Sequence, residues 1–242
     1  MKLPSHWSAS GWLVMLIMAT LGMQYLERFF RWVAPGQRQV IYQRDDFLSL
    51  MLNHASLVGL ASIVAITIGV GTGILVTRAW GRDFLPTVSL IASVGQTFPP
   101  VAVLALCVPL LGFGAGPVIL SLILYGLLPI VRNTLAGIGD VEPAVIESAR
   151  GMGMSGTQIL WQVEIPLAFN VILAGIRTSV TINIATAAIG STIGARTLGD
   201  PVIAGLINNN IAYTLQGAIL IGLLAVTVDR LFEVVQSVST RR

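Results

Sequence analysis

The chain contains a single lysine, Lys2, and that scarcity excludes a whole class of engines. A Walker A phosphate loop, G-x-x-x-x-G-K-[ST], needs a lysine behind its glycines, and none stands there. Any ATP that powers this protein is therefore hydrolysed by a partner. Cysteine is equally scarce: Cys107 is alone inside an apolar run, so neither a disulfide framework nor a cysteine metal site is available. The two histidines, His6 and His54, lie far apart and read as interfacial or packed side chains rather than a metal pair. No G-x-S-x-G nucleophile elbow and no H-E-x-x-H zinc motif occurs. Charged residues make up only 10% of the chain, and its acids do not cluster within apolar stretches. A proton- or sodium-coupled carrier or a membrane hydrolase would usually require such a cluster.

What fills the chain is apolar. Hydrophobic residues account for 55% of the 242, and mean hydropathy is +0.83. That is too greasy for a soluble domain and predicts an all-α, polytopic integral membrane protein. The net charge of +3 invites a nucleic-acid reading, but the cations are scattered between apolar spans and never form a long run. They read as topology signals, with no nucleic-acid partner.

Six apolar segments are predicted, near residues 7–25, 56–76, 86–111, 117–138, 167–189 and 213–235. At about 1.5 Å per residue, roughly 20 residues cross a ~30 Å hydrocarbon core. The first could be a signal peptide, but Met23, Gln24 and Tyr25 stand where cleavage needs small residues, so a retained helix is preferred. Residues 1–47 then comprise a span and an external loop, 48–138 spans two to four, 139–166 a polar hairpin, and 167–242 spans five and six with an external loop between them.

Three features inside the spans point to function. Ala61, Ala65, Gly69 and Gly73 recur every four residues, a small-residue stripe that lets helix backbones approach closely in lipid. The third segment is broken at Gly95, Gln96, Thr97, Phe98, Pro99 and Pro100. Its prolines cannot donate to the carbonyls of Gly95 and Gln96, so the break must face protein or a wet cavity. It is read as lining a pathway, with a packed proline kink as the alternative. In the fifth segment Gly175, Ser179, Asn183 and Ala187 share a face, and Asn183 is assigned to the pathway too. Arg177 lies on another face; bracing of the broken span or the hairpin, and contact with substrate, are both open for it.

Between the fourth and fifth segments the chain turns polar, from Asp140 to Pro166. Asp140, Glu142 and Pro143 predict a helix start, and the helix should run to about Arg150. Gly151 and Gly153 then supply a reversal. Ser155 and Gln158 have capping-box spacing, restarting a helix that should carry Ile159, Leu160 and Val163 to Pro166. The sequence G-M-G-M-S-G satisfies G-x-G-x-x-G, but it follows a helix rather than a strand and is not read as a dinucleotide site.

On these residues the chain resembles a known family. Glu147, Ala149, Gly153, Val163, Ile165 and Pro166 match the spacing of the "EAA" loop of ABC-importer permeases, with Ser148 in place of the middle alanine. The run ESARGMGMSGTQILWQVEIPLAFNVILAGIRTSV, with QTFPP upstream, looks like the permeases of osmoprotectant importers for glycine betaine, choline or carnitine. The likeness covers roughly residues 48–233. It implies a type I ABC-importer permease fold of about six transmembrane helices. It also implies a second permease chain, alike or related, two ATPase subunits that carry ATP and Mg²⁺, and an external substrate-binding protein. This chain itself would hold no cofactor or metal. The coupling surface implied comprises Glu147, Ser148, Ala149, Arg150, Gly151, Gly153 and Pro166. Other small solutes (amino acids, phosphonates, sulfonates) and, as a different class, a stand-alone carrier or channel are the alternatives.

Six spans put both termini, the loop after span two and the hairpin on one side. That side holds Lys2, Arg78, Arg82, Arg132, Arg150, Arg230, Arg241 and Arg242. Opposite stand Arg28, Arg31, Arg38, Arg44 and Arg196. The excess assigns the hairpin side to the cytoplasm of a bacterial inner membrane. The arginine-rich first loop fits that assignment poorly, and a five-span topology starting after it is the alternative.

Overall fold

The computed structural model of the protein describes residues 5–239; Lys2, Arg241, Arg242 and the side chain of His6 lie outside the described residues. The chain builds α1 (Ser5–Gly22), α2 (Glu27–Val33), α3 (Phe47–Thr77), α4 (Leu85–Thr97), α5 (Pro100–Leu111) and α6 (Ala115–Gly139). It continues with α7 (Pro143–Gly151), α8 (Gly156–Ile159), α9 (Ile165–Ala187), α10 (Gly199–Ile207) and α11 (Ile211–Ser239). Five stretches are long and apolar enough to cross a bilayer: Ala9–Val33, Phe47–Thr77, Ala115–Gly139, Gly156–Ile193 and Ile211–Val238. The sixth candidate is the α4–α5 pair, whose halves are bent by 98°.

The small-residue stripes explain the centre of the bundle. A Cβ added to Gly69 would sit 2.7 Å from the Ile130 side chain, and one on Gly73 would sit 2.6 Å from that of Thr134, so the α3 backbone lies directly against these α6 side chains. From the other side a Cβ on Gly175 would come 2.7 Å from the Pro129 carbonyl oxygen. Burying carbon gives helices little reason to associate in lipid; this close packing supplies the attraction instead.

The same contacts fix direction. Ala65 approaches Gly126, Gly69 approaches Ile130 and Gly73 approaches Thr134, so numbers rise together and α3 runs parallel to α6. Two consecutive parallel helices require a return passage between them, and residues 82–111 are that passage. Helix α9 is antiparallel to α6, since Gly137 meets Ala168 while Gly126 meets Ser179 and Asn183. At the start of the chain α1 packs on α11, with Thr227 Oγ1 donating to the Trp12 carbonyl at 3.3 Å. The chain therefore passes through the bundle six times. The start of α1, the α3–α4 corner, the 140–164 hairpin and the end of α11 lie on one face.

The opposite face is tied down by amides. Gln216, fully buried, accepts from Tyr42 N–H at 3.0 Å and donates to the Val40 carbonyl. Asn210 donates to the Gln39 carbonyl at 2.8 Å and Gln37 to the Asn209 carbonyl at 2.9 Å. The first loop is thus pinned over the start of α11. One of its awkward arginines is met locally, Arg31 lying 2.6 Å from Glu27, and its Asp45 lies 3.8 Å from Arg196 of the later loop. Nearby, burial raises the Asp200 carboxyl above its ordinary value although it accepts from the Thr197 N–H. His54 is fully buried in α3: its Nδ1 accepts from Leu198 N–H at 3.3 Å, leaving Nε2 to donate to the Ile184 carbonyl at 3.0 Å. It joins the top of α9 to α3 as a neutral ring.

Candidate functional site: the bent hairpin and the broken span

The hairpin is built from local signals. Helix α7 starts at Pro143, where the absent N–H costs nothing, although the Glu142 carboxylate makes no capping bond. It ends in a Schellman turn: Gly153 N–H bonds to the Arg150 carbonyl at 2.9 Å and Met154 N–H to the Ala149 carbonyl at 3.1 Å. Gly153 carries the positive φ of +85° that this turn demands. Ser155 and Gln158 close a reciprocal capping box at 3.3 and 2.7 Å. Glu147, Ser148, Arg150 and Gly151 are exposed, whereas Ala149, 2% exposed, packs beneath them. Glu147 makes no ion pair among the described residues.

The second arm differs from expectation. No helix ends at Pro166: α8 passes through a π-helical turn, Leu160–Glu164, straight into α9, where Pro166 occupies the first turn. Proline cannot donate to the carbonyl four residues back, and the wider π turn falls where that bond is lost. The hairpin is therefore continuous with α9. A cleft of about 460 Å³ separates α7 from the loop after α3, lined by Arg78, Arg82, Glu147, Arg150 and Glu164.

The break in the third segment is sharper than a kink: Leu85–Thr97 and Pro100–Leu111 are separate helices bent by 98° to one another. Its polar atoms are met from α6. Pro129, inside α6, cannot donate to the Tyr125 carbonyl, and Gln96 Nε2 fills that vacancy at 2.8 Å. The Tyr125 hydroxyl reciprocates by donating to the Phe98 carbonyl at the break. Thr97, Phe98 and Pro99 are exposed, and Gln96 and Pro100 partly so. On the flanking helices large apolar side chains, including Leu90, Ile91, Val101, Leu106 and Leu110, are left exposed by the rest of this chain.

Asn183 and Arg177 do not join that group. Asn183 is fully buried, with its amide 3.4 Å from Ser62 Oγ and packed beside Gly126. Its stripe is consumed by close contact with α6, so the assignment to the pathway is corrected: the periodicity marked a helix seam. Arg177 neither braces the broken span nor reaches the hairpin. It forks onto Asp229 of α11, with Nη2 2.6 Å from Oδ2, and touches Glu233 at 3.3 Å. Glu233 is also held by Arg230 at 2.7 Å. All four charges compensate one another within the bundle, as intramembrane ions must.

One pair escaped the sequence reading. Arg78 Nη2 lies 2.7 Å from Glu164 Oε2, joining the α3–α4 corner to the hairpin root. The contact is a close charge pair in which Oε2 receives no aligned hydrogen bond. The signal available was only that one acid of the hairpin and one cation of the short loop would share a face.

Parallel α3 and α6 joined by a broken passage, with a glycine-bent hairpin on the face where both end, define a permease of the ABC-importer architecture. The family model for the binding-protein-dependent transport system inner membrane component matches residues 65–237, and the chain belongs to that family. It is 41% identical over 212 residues to the osmoprotectant import permease protein OsmY of Salmonella typhimurium, covering 88% of this chain and 89% of that protein. It is 45% identical over 168 residues to the glycine betaine/carnitine/choline transport system permease protein OpuCD of Bacillus subtilis, covering 69% and 72%. Among solved structures, an inward-facing MetNI methionine ABC transporter superposes with a TM-score of 0.72. That match covers 81% of this chain and 99% of the other at 19% identity, a likeness of fold alone. The chain is thus a multi-pass inner-membrane transport subunit.

Proposed function

We propose that the chain forms the translocation pathway of an osmoprotectant importer for glycine betaine, choline or carnitine, worked by a separate ATPase. The observation that carries the reading is the hairpin: an exposed Glu147, in no ion pair among the described residues, over a packed Ala149, on a glycine bend continuous with α9. A knob of that kind suits a socket on another protein. In this reading Glu147 pins the hairpin, Ser148, Arg150 and Gly151 form the rest of its outer surface, Gly153 sets the bend and Pro166 joins it to α9. ATP and Mg²⁺ bind on two partner ATPase subunits, and this chain holds no cofactor. Gln96, Thr97, Phe98, Pro99 and Pro100 face the route, and the open apolar side of α4 and α5 receives a second permease chain, identical or related. A binding protein delivers substrate to the opposite face, the remaining surface meets lipid, and the hairpin and both termini are cytoplasmic.

The substrate class rests on the names of relatives 41% identical to this chain over 212 residues and 45% identical over 168. A quaternary ammonium needs no strong counter-charge in transit, which agrees with ion pairs that are spent within the bundle. The test is uptake by proteoliposomes holding the chain with its ATPase and binding protein. Labelled choline, glycine betaine or carnitine is expected to accumulate with ATP and to be displaced by the other two. Accumulation of an amino acid, phosphonate or sulfonate in their place would contradict the assignment.

A further inference from the structure

We infer that Arg78 and Glu164 form a strut through which the hairpin drives the α3–α4 corner, making both positioning residues for transport. The inference rests on the coupling role proposed above. The hairpin continues into α6 at one end and α9 at the other; α6 meets α4 through side-chain packing and the Gln96–Tyr125 bond near the break, whereas the first turn of α4, beside the α3–α4 corner, lies at the hairpin's own level. Among the described residues the polar tie between the hairpin root and the α3–α4 corner is this pair, 2.7 Å across. Beside it lies the cleft of about 460 Å³, so α7 and the loop are separated by open space rather than packed together.

Both partners are fixed. Arg78 follows the last turn of α3 in extended backbone, and its guanidinium also donates to Thr77 Oγ1 at 3.0 Å. The turn after it is rigid, because Gly81 N–H bonds to the Arg78 carbonyl at 3.0 Å and Leu75 O occupies the place of a Gly81 Cβ, 2.1 Å away. The short turn Arg82–Phe84 then leads directly into α4, whose far end is the break at Gln96 to Pro100. Glu164 is 7% exposed and closes the π-helical turn, an irregularity that recurs at functional positions. A buried ion pair adds little net stability, because removing both charges from water offsets their attraction. Its value lies in registry: a push on the hairpin reaches the start of the broken span by charge contact, in addition to the packing of α6 on α4.

The test uses the complete importer in proteoliposomes, reading ATPase co-purification, ATP turnover and substrate uptake on the same samples. For Glu164→Gln, a shape-conserving change, the ATPase should stay bound with turnover within about twofold, while uptake falls about tenfold. Arg78→Lys should retain most uptake, and the exchange Arg78→Glu with Glu164→Arg should restore it. Wild-type uptake in Glu164→Gln overturns the strut. So does loss of the ATPase from that variant, and so does failure of both the lysine variant and the exchange while the ATPase remains bound. Glu147→Ala run in parallel separates the two ideas: if it keeps both ATPase and uptake, the coupling reading itself fails. If it loses them while Glu164→Gln is unaffected, only the strut fails.

Discussion

Arg177→Ala is expected to destabilise the folded protein by about 3 kcal/mol, the lower end for stripping one partner from a buried ion pair. The lower end applies because the Arg177 and Asp229 side chains retain 28% and 32% exposure in the single chain. The damage comes from what is left behind. Without the guanidinium, Asp229 loses the partner that forks onto both its oxygens, and the charge stays inside an apolar helix bundle. Glu233 is spared, since Arg230 still holds it at 2.7 Å. That asymmetry makes a second result decisive. Arg177→Leu combined with Asp229→Leu removes both unpaired charges and should recover most of the lost stability, whereas either substitution alone should not. Thermal unfolding of the purified protein in detergent reads both, and a single variant as stable as wild type would contradict the pairing.

Gly153→Val is the second large effect. Nothing lies within 4 Å of a Cβ at this position, so the cost is conformational: a β-branched residue is forced to a φ of +85°, at roughly 1–3 kcal/mol. The Schellman bonds to Ala149 and Arg150 depend on that φ, and the angle between the two hairpin arms depends on those bonds. ATPase co-purification and ATP-driven uptake should both collapse while the apolar spans still insert. Gly156→Ala, open on all sides, at the first position of α8 and without positive φ, should retain both activities. Glu147→Ala should lose them without a change in thermal stability, because no ion pair among the described residues uses that carboxylate. An ATPase that remains bound to Gly153→Val would remove the hairpin from the mechanism.

Legibility in the sequence followed the range of the interactions. The hairpin was readable because Pro143, Gly153 and the Ser155–Gln158 pair act within a few residues. Pro99 and Pro100 announced a break, but its 98° angle and the exchange with Tyr125 depend on Pro129, thirty residues on. Periodicity marks the small-residue faces and says nothing about what covers them: the face of Asn183 reads as a pathway wall in sequence and is buried in a helix seam in the fold. Arg177 announced an ion partner that stands 52 residues away, on α11. Gln216, an amide within the apolar first half of α11, is an available signal that the first loop is fastened to that helix. The π-helical turn was hidden because the sequence placed a helix end at Pro166, where the backbone instead widens and continues.

In the function proposed, this chain is a gate moved by an engine it does not contain. The direct measurement is substrate accumulation in proteoliposomes made with and without the partner ATPase, with ATP supplied on the hairpin side. Uptake is expected only when ATPase and ATP are both present. Concentrative uptake by the permease chains alone, at the same rate with or without ATP, would contradict it.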